Sequence, residues 1–372
     1  MAVSNELLLK KIDLVVNRLM NLGATDENAD KNTAADAHKR GIIARDFGIE
    51  TWDWPQGVGL YGLEKLQAFH CDNRYDAFFD GWAKNNLKMG LPSKNINTTA
   101  PYLTMAGVAR RLGNEEYTML CLDHVRWIME QLPKTTDGGF QHVTSAIGDR
   151  NGVALHDGEL WIDTLFMAVL FLNKMGQSYK RSVWANEAIK QFLVHIKYLF
   201  DTKTGLFHHG WSFNTMSNFG GIFWCRGNSW FTYGVIDFLD DCGDNINPAI
   251  KSFLIDTYKA QVDALVKLQA PSGMWNTVLT DPTSYEETSG SAAITAGILK
   301  GIKLGILDSS YAECADRAIA AICENVSEDG TVLNVSGGTG IGMNAEHYKN
   351  IITAPMAYGQ SLTLLALCEA LK

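Results

Sequence analysis

Apolar residues return every three or four positions through most of the chain, and no stretch sustains the strict alternation of a half-buried strand. The pattern predicts helices of two kinds. In NELLLKKIDLVVNRLM, YTMLCLDHVRWIMEQL, SVWANEAIKQFLVHIKYLF and IKSFLIDTYKAQVDALVKLQ a charged face lies opposite an apolar one, as in a helix with one side in water. A second set, GVGLYGLEKL, TTAPYLTMAGVARRLG, ELWIDTLFMAVLFLNKMG, CRGNSWFTYGVIDFLDDCG, EETSGSAAITAGILKGIKLG and TAPMAYGQSLTLLALCEAL, is poor in charge and rich in Gly, Ala, Ser and Thr. Several of these end in Gly, which favours a helix C-terminus. They are predicted to pack on all sides.

The second set begins near residues 53, 98, 160, 227, 287 and 354, with outer segments between them. A double ring fits this alternation, giving an all-α (α/α)6 toroid in a single domain, residues 1–372. Inner helices of such a ring all point the same way, so their N-termini meet at one mouth. Each N-terminus carries about half a positive charge and free N–H groups, and the mouth therefore favours an anionic ligand. A sugar carboxylate suits it.

Composition narrows the picture. The 372 residues are 46% hydrophobic and 20% charged, ordinary for a globular protein, and the net charge of −9 disfavours nucleic acid or an anionic membrane as partner. Seven cysteines without a CxxC pair read as free thiols in a reducing compartment. Met1 to Lys11 has neither the basic start nor the apolar core of a secretory signal, so a cytoplasmic protein is expected.

The inner-helix entrances then supply candidate chemistry. They carry Trp52, Asp53, Trp54 and Gln56; Asn97, Thr98 and Thr99; Trp161 and Asp163; Trp224, Arg226, Asn228 and Trp230; and Glu286, Glu287 and Thr288. Aromatic platforms interleaved with hydrogen-bonding groups are how sugars are held. Gly57, Gly59 and Gly62 are expected to let the first inner helix approach its neighbours, with Trp52 and Trp54 walling the pocket. On its residues alone Asp163 is either a helix cap or a functional acid, and Asp53 a cap, an anchor for the glycine-rich turn or a substrate contact. Of His208 and His209, one is read as facing ligand and one as structural. Neither HExxH nor a carboxylate cluster accompanies them, so no metal and no cofactor is expected. Glu286 and Glu287 read as a solvated helix start, and His156 and Asp157 as surface residues. GGTGIG, residues 337–342, reads as a loop closing the last helix onto the mouth, since no GK[ST] follows it.

WDWPQGVGLYG, NTTAP, GGFQH, ELWIDTLFMAVLFL, HGW and WCRGNSW, in this order, resemble glycoside hydrolase family 105, the unsaturated rhamnogalacturonyl hydrolases, with the family 88 unsaturated glucuronyl hydrolases as relatives. The resemblance implies an (α/α)6 barrel that removes a Δ4,5-unsaturated uronic acid, galacturonyl or glucuronyl, from the non-reducing end of lyase-generated oligosaccharides. It assigns the proton donor of the LWxDT stretch to Asp163, substrate contacts to His142 and His209, and the Trp-x-Arg pair to Trp224 and Arg226. The stretch SAIGDRNGVALHDGE, between GGFQH and LWID, is longer than the family pattern. In the implied reaction one acid protonates C4 and water adds at C5. Burial against Trp161 would raise the pKa of Asp163 and a helix N-terminus would lower it, and the residues leave the balance open. Arg226 would clasp the C6 carboxylate with two hydrogen bonds. Two rivals remain: an inverting glycosidase pairing Asp163 with Asp53, and a sugar-binding toroid without catalysis.

Overall fold

A computed structural model describes residues 3–23, 47–146 and 149–371. Among them, twelve long helices alternate between two layers. The outer ones are α1 (Asn5–Met20), α3 (Asp76–Met89), α5 (Glu115–Glu130), α7 (Ser182–Leu199), α9 (Pro248–Leu268) and α11 (Ala312–Glu324). The inner ones are α2 (Trp54–His70), α4 (Ile96–Leu112), α6 (Leu170–Ser178), α8 (Cys225–Cys242), α10 (Thr288–Lys303) and α12 (Ala357–Ala370). A π-helical turn, Leu165–Val169, leads into α6.

The inner helices form a closed ring: α2 packs on α4, α4 on α6, α6 on α8, α8 on α10, α10 on α12, and α12 back on α2. This is the (α/α)6 toroid read from the sequence. Layer follows burial pattern. In α1 the buried residues are Leu8, Ile12, Val15 and Leu19, one face at three- and four-residue spacing. In α12 every residue from Ala357 to Cys368 is buried, because neighbours stand on all sides. One large apolar core runs through both layers, and a small cluster of Trp224, Val278 and Tyr348 sits apart from it. Six of the seven cysteines are buried thiols and Cys71 is exposed.

Small residues set the ring's diameter. A Cβ on Gly57 would lie 2.4 Å from the backbone nitrogen of Pro101 in α4, one on Gly62 2.8 Å from the Ser361 Cα in α12, and one on Gly59 2.9 Å from the Ala357 Cβ. The glycine cluster of α2 thus lets it touch both ring neighbours at backbone distance.

The sequence reading missed the strands. Three two-stranded antiparallel ladders lie in the connections: β1 (Val143–Ser145) with β2 (Val153–Leu155), β3 (Glu159–Trp161) with β6 (Gly210–Ser212), and β4 (Phe200–Asp201) with β5 (Leu206–Phe207). Strands of two or three residues are too short for a period of two to register. Within the 143–159 stretch residues 143–145 and 153–155 pair as an antiparallel ladder, and the ELW of the expected inner helix is a strand that delivers Asp163 to the helix start.

These contacts predict opposite outcomes for two alanine substitutions. Gly57→Ala should destabilise by about 1–3 kcal/mol through overpacking. Gly81→Ala, on exposed α3 with nothing within 4 Å of the added Cβ, should stabilise by about 0.5–1 kcal/mol. Urea unfolding of both proteins checks the pair; shifts of the same sign would contradict the ring packing.

Candidate active site

The mouth is where inner-helix N-terminal residues meet. Trp54 of α2 stacks on Tyr358 of α12 at 4.6 Å, and Arg226 of α8 reaches Ser289 of α10. Asp163 arrives there because of the β3–β6 ladder. Trp161 pairs with Gly210, and the Ile162 N–H donates to the His209 carbonyl at 2.9 Å, which holds the two flanking side chains side by side. Gly210 is required at that point, since a Cβ would meet the Leu160 carbonyl at 2.8 Å. The π-turn follows two residues after Asp163 and widens the helix where the carboxylate projects.

Three side chains define the acid's surroundings. Asp163 Oδ1 accepts from Trp230 Nε1 at 3.0 Å. Oδ2 lies 3.2 Å from His209 Nε2, in ion-pair reach but off the hydrogen-bond line, so both atoms are left for a further partner. His142 Nδ1 shares a hydrogen with Thr164 Oγ1 at 2.9 Å, and its ring covers one face of Trp161 at 4.3 Å. The carboxyl of Asp163 is 15% exposed, enclosed yet reachable.

The electrostatic balance left open by the sequence resolves downward. Burial pushes the Asp163 carboxyl up, but His209, His142 and Arg226 together hold it below the usual carboxylate range. Burial drives the His142 imidazole well below its ordinary value, against the pull of the Asp163 carboxylate.

Arg226 departs from expectation. It is fully buried, and both terminal nitrogens are spent on the protein. Nη1 donates to Ser289 Oγ at 3.2 Å, to the Ser336 carbonyl at 3.0 Å and to the Ser336 hydroxyl; Nη2 donates to the Gly337 carbonyl at 2.7 Å and Thr339 Oγ1 at 3.0 Å. Trp224 and Tyr358 cover its faces at 4.6 and 4.8 Å. No fork remains for a two-bond clasp on a substrate carboxylate. The guanidinium instead fastens the 336–339 segment, the start of the loop expected to close over the mouth, to α8 and α10. Its counter-charge is Glu287 at 3.8 Å. That residue is not solvated as expected: it is fully buried, and it accepts from the backbone N–H groups of Ser289, Gly290 and Ser336.

Other expected contacts move from pocket to core. Trp52 is 4% exposed, stacks on Trp82 at 5.0 Å and donates to the Thr98 carbonyl. Thr98 is taken by a capping box with Asn95. Gln56 is buried and donates to the Gly48 carbonyl. Trp230 holds Asp163, and Trp224 is enclosed by His209 and Arg226. Rings this large at the starts of all-round-packed helices complete the core, so among Trp52, Trp54, Trp161, Trp224 and Trp230 only Trp54 escapes burial. Asn97 is half-buried at the entrance of α4. Asp53 is buried and caps α2 through the Trp54 N–H. His208 stacks on Phe223, while His209 lies beside the Asp163 carboxylate. His156 is half-buried against Trp161 rather than on the surface. The sequence reading overlooked Tyr348, which bonds His209, and Tyr358; the latter carries the same aromatic signature at an inner-helix start as Trp54 and Trp230.

Comparison with known proteins agrees with this architecture. The profile of glycosyl hydrolase family 88 matches residues 30–372. The unsaturated rhamnogalacturonyl hydrolase YesR of Bacillus subtilis is 31% identical over 335 residues, 89% of this chain and 93% of its own. An unsaturated 3S-rhamnoglycuronyl hydrolase of Formosa agariphila is 28% identical, over 88% of this chain and 86% of its own. A crystal structure from Salmonella enterica, described as a possible member of the GH105 family, superimposes with a TM-score of 0.89 at 34% identity, covering 99% of this chain and 94% of that one. The chain belongs to glycosyl hydrolase family 88 and is a glycoside hydrolase.

The clasp has a measurable consequence. Arg226→Met should cost about 3–5 kcal/mol of stability, because Glu287 is left as an unpaired buried charge. The double variant Arg226→Met/Glu287→Gln should recover part of it. Urea unfolding reads both; an Arg226→Met protein of unchanged stability with only a raised KM would favour a substrate clasp instead.

Proposed function

We propose that this hydrolase removes a Δ4,5-unsaturated uronic acid, galacturonyl or glucuronyl, from the non-reducing end of short lyase-generated oligosaccharides, with rhamnose as the following sugar. The carrying observation is the enclosed carboxylate of Asp163, with one oxygen held by Trp230 and the other free beside His209, whereas the buried Glu287 and Asp53 carboxylates serve as helix caps. The names of the Bacillus and Formosa relatives supply the substrate class. One carboxyl suffices for this chemistry, whereas an inverting glycosidase needs two, and Asp53 is committed to capping α2.

The unsaturated uronate is a vinyl ether. Asp163, protonated, gives its proton to C4; positive charge develops at C5; water adds there and returns a proton to the Asp163 carboxylate. The resulting hemiketal opens and releases the aglycone. His209 Nε2, beside the free oxygen, stabilises the carboxylate form between the two transfers. The substrate's own carboxylate, arriving close to Asp163, raises the pKa that His209, His142 and Arg226 hold down. Trp54, half-exposed, is the platform for a sugar face, and Asn97 a hydroxyl partner. His142 is carried as a supporting contact behind Trp161.

The continuous core supports a single catalytic domain. Seven free thiols support a reducing, cytoplasmic setting, and the net charge of −9 argues against nucleic acid or membrane partners. No helix among the described residues is long and apolar enough to cross a membrane.

Asp163→Asn should bind substrate and lose at least about a thousandfold in kcat, measured by loss of the ultraviolet absorbance of the conjugated enol ether. Turnover in D2O should place deuterium at C4. A variant keeping a tenth of the activity, or product unlabelled at C4, would overturn the assignment.

The pH dependence has a defined sign. Activity requires protonated Asp163, so kcat/KM, which reports the free enzyme, falls as pH rises through a pKa below the usual carboxylate range. The corresponding limb of kcat should lie at higher pH, because the bound carboxylate opposes ionisation. Coincident limbs would contradict this electrostatic account.

A further inference from the structure

Tyr348 belongs to the helical turn Ala345–Lys349, far along the chain from the mouth motifs, and no family motif named above includes it. Its ring is 1% exposed, packed with Trp224 and His209. Its hydroxyl has two neighbours. The Gly342 N–H donates to Oη at 3.1 Å, and Oη lies 2.9 Å from His209 Nδ1. A buried phenol carries one hydrogen and that hydrogen needs an acceptor. The Gly342 N–H is itself a donor, so among the described residues the acceptor the hydroxyl meets is His209 Nδ1.

We propose that Tyr348 is a positioning residue for the reaction: by donating to Nδ1 it fixes His209 in the Nε2–H tautomer, which sets an N–H dipole rather than a lone pair beside Asp163 Oδ2.

The geometry accounts for the whole path. The Gly342 N–H orients the phenol, the phenol fixes the imidazole, and the imidazole Nε2 stands 3.2 Å from the carboxylate. The phenol keeps its hydrogen throughout, since burial and the nearby Asp163 carboxylate push its pKa upward. Trp224 at 4.4 Å and the edge of Trp161 at 5.4 Å prevent the ring from turning over. The charged and titratable groups facing Asp163 are His209, His142 and Arg226, with Tyr348 behind His209. Arg226 is fixed by its hydrogen bonds, so the tautomer of His209 is what Tyr348 can set.

With Nε2–H opposite Oδ2, the carboxylate formed when Asp163 gives up its proton is stabilised, which makes Asp163 a stronger acid. With the other tautomer a lone pair would face Oδ2 and favour the protonated carboxyl. The same relay ties the 337–342 loop to the acid. Arg226 fastens the loop's start through the Gly337 carbonyl and Tyr348 holds its end through the Gly342 N–H, so a displaced loop would alter both groups that tune Asp163.

This inference rests on the proposed role of Asp163, and two readouts separate them. Nitrogen-15 spectroscopy of His209 in the wild-type protein should find Nε2 protonated and Nδ1 bare; a protonated Nδ1 with bare Nε2 would overturn the proposal whatever the reaction is. Tyr348→Phe keeps the ring packing and removes the donor. Its kcat/KM limb should move upward by about one pH unit and its kcat fall about tenfold, with KM little changed. A purely structural role would lower the melting temperature and activity without moving the limb, and that result would overturn the proposal. Should Asp163→Asn instead remain active, the proposed function fails while the tautomer measurement still stands by itself.

Discussion

A guanidinium without exposure must find its partners inside the protein, and the two terminal nitrogens of Arg226 draw theirs from three directions while Nε is left unpaired. Ser289 and Glu287 come from the start of α10, Ser336, Gly337 and Thr339 from the connection before α12, and Tyr358 from α12 itself. One side chain on α8 thereby fixes the relative position of three consecutive inner helices at the end where the acid stands. Burying such a pair gains little net stability, because desolvation offsets the attraction. What it does confer is geometry, since each partner is held by several directed bonds and removing any one leaves charge uncompensated.

The opposite end of the ring is held by different means. Asp237 on α8 accepts from Lys65 of α2 and Lys300 of α10, both at 2.6 Å, and from the Tyr61 hydroxyl. These cations keep the Asp237 carboxyl ionised despite burial. Cations in the C-terminal halves of inner helices also complement their dipoles. The barrel thus carries two polar knots with an apolar core between them, and only the knot at the helix N-termini leaves atoms unspent.

The layered fold was legible in the sequence because its signal is periodic and long: amphipathic outer helices differ from charge-poor inner ones over many residues. The close approach of α2 could be read from Gly57, Gly59 and Gly62 for the same local reason. Asp163 and His209 were singled out through short motifs, and the structure brings their side chains within 3.2 Å. What escaped were facts set by distant partners. His209 meets Tyr348 across 139 residues and Arg226 meets Ser336 across 110, and no local pattern encodes such pairs. Tryptophans misled in a related way. At the start of a helix packed on all sides, a large ring is as useful to the core as to a sugar, and only the observed packing separates Trp54 from Trp52.

Neutralising Arg226 with Glu287 changes how an anion can be attracted to this mouth. With both terminal nitrogens occupied, the guanidinium offers a screened field rather than a contact. A uronate meets His209 and the net dipoles of helices whose first N–H groups are already capped by Asp53, Asn95 and Glu287. Asp163 meanwhile rests ionised, in the wrong state for giving a proton. In the proposed reaction these two features are complementary: an incoming carboxylate repels the ionised acid and shifts it toward the protonated form, so the group that identifies the substrate would also ready the proposed proton donor. A neutral sugar filling the same space would leave Asp163 deprotonated. Under that proposal discrimination for the uronate extends from binding into the chemical step, with no cation among the described residues of the mouth left free to hold it.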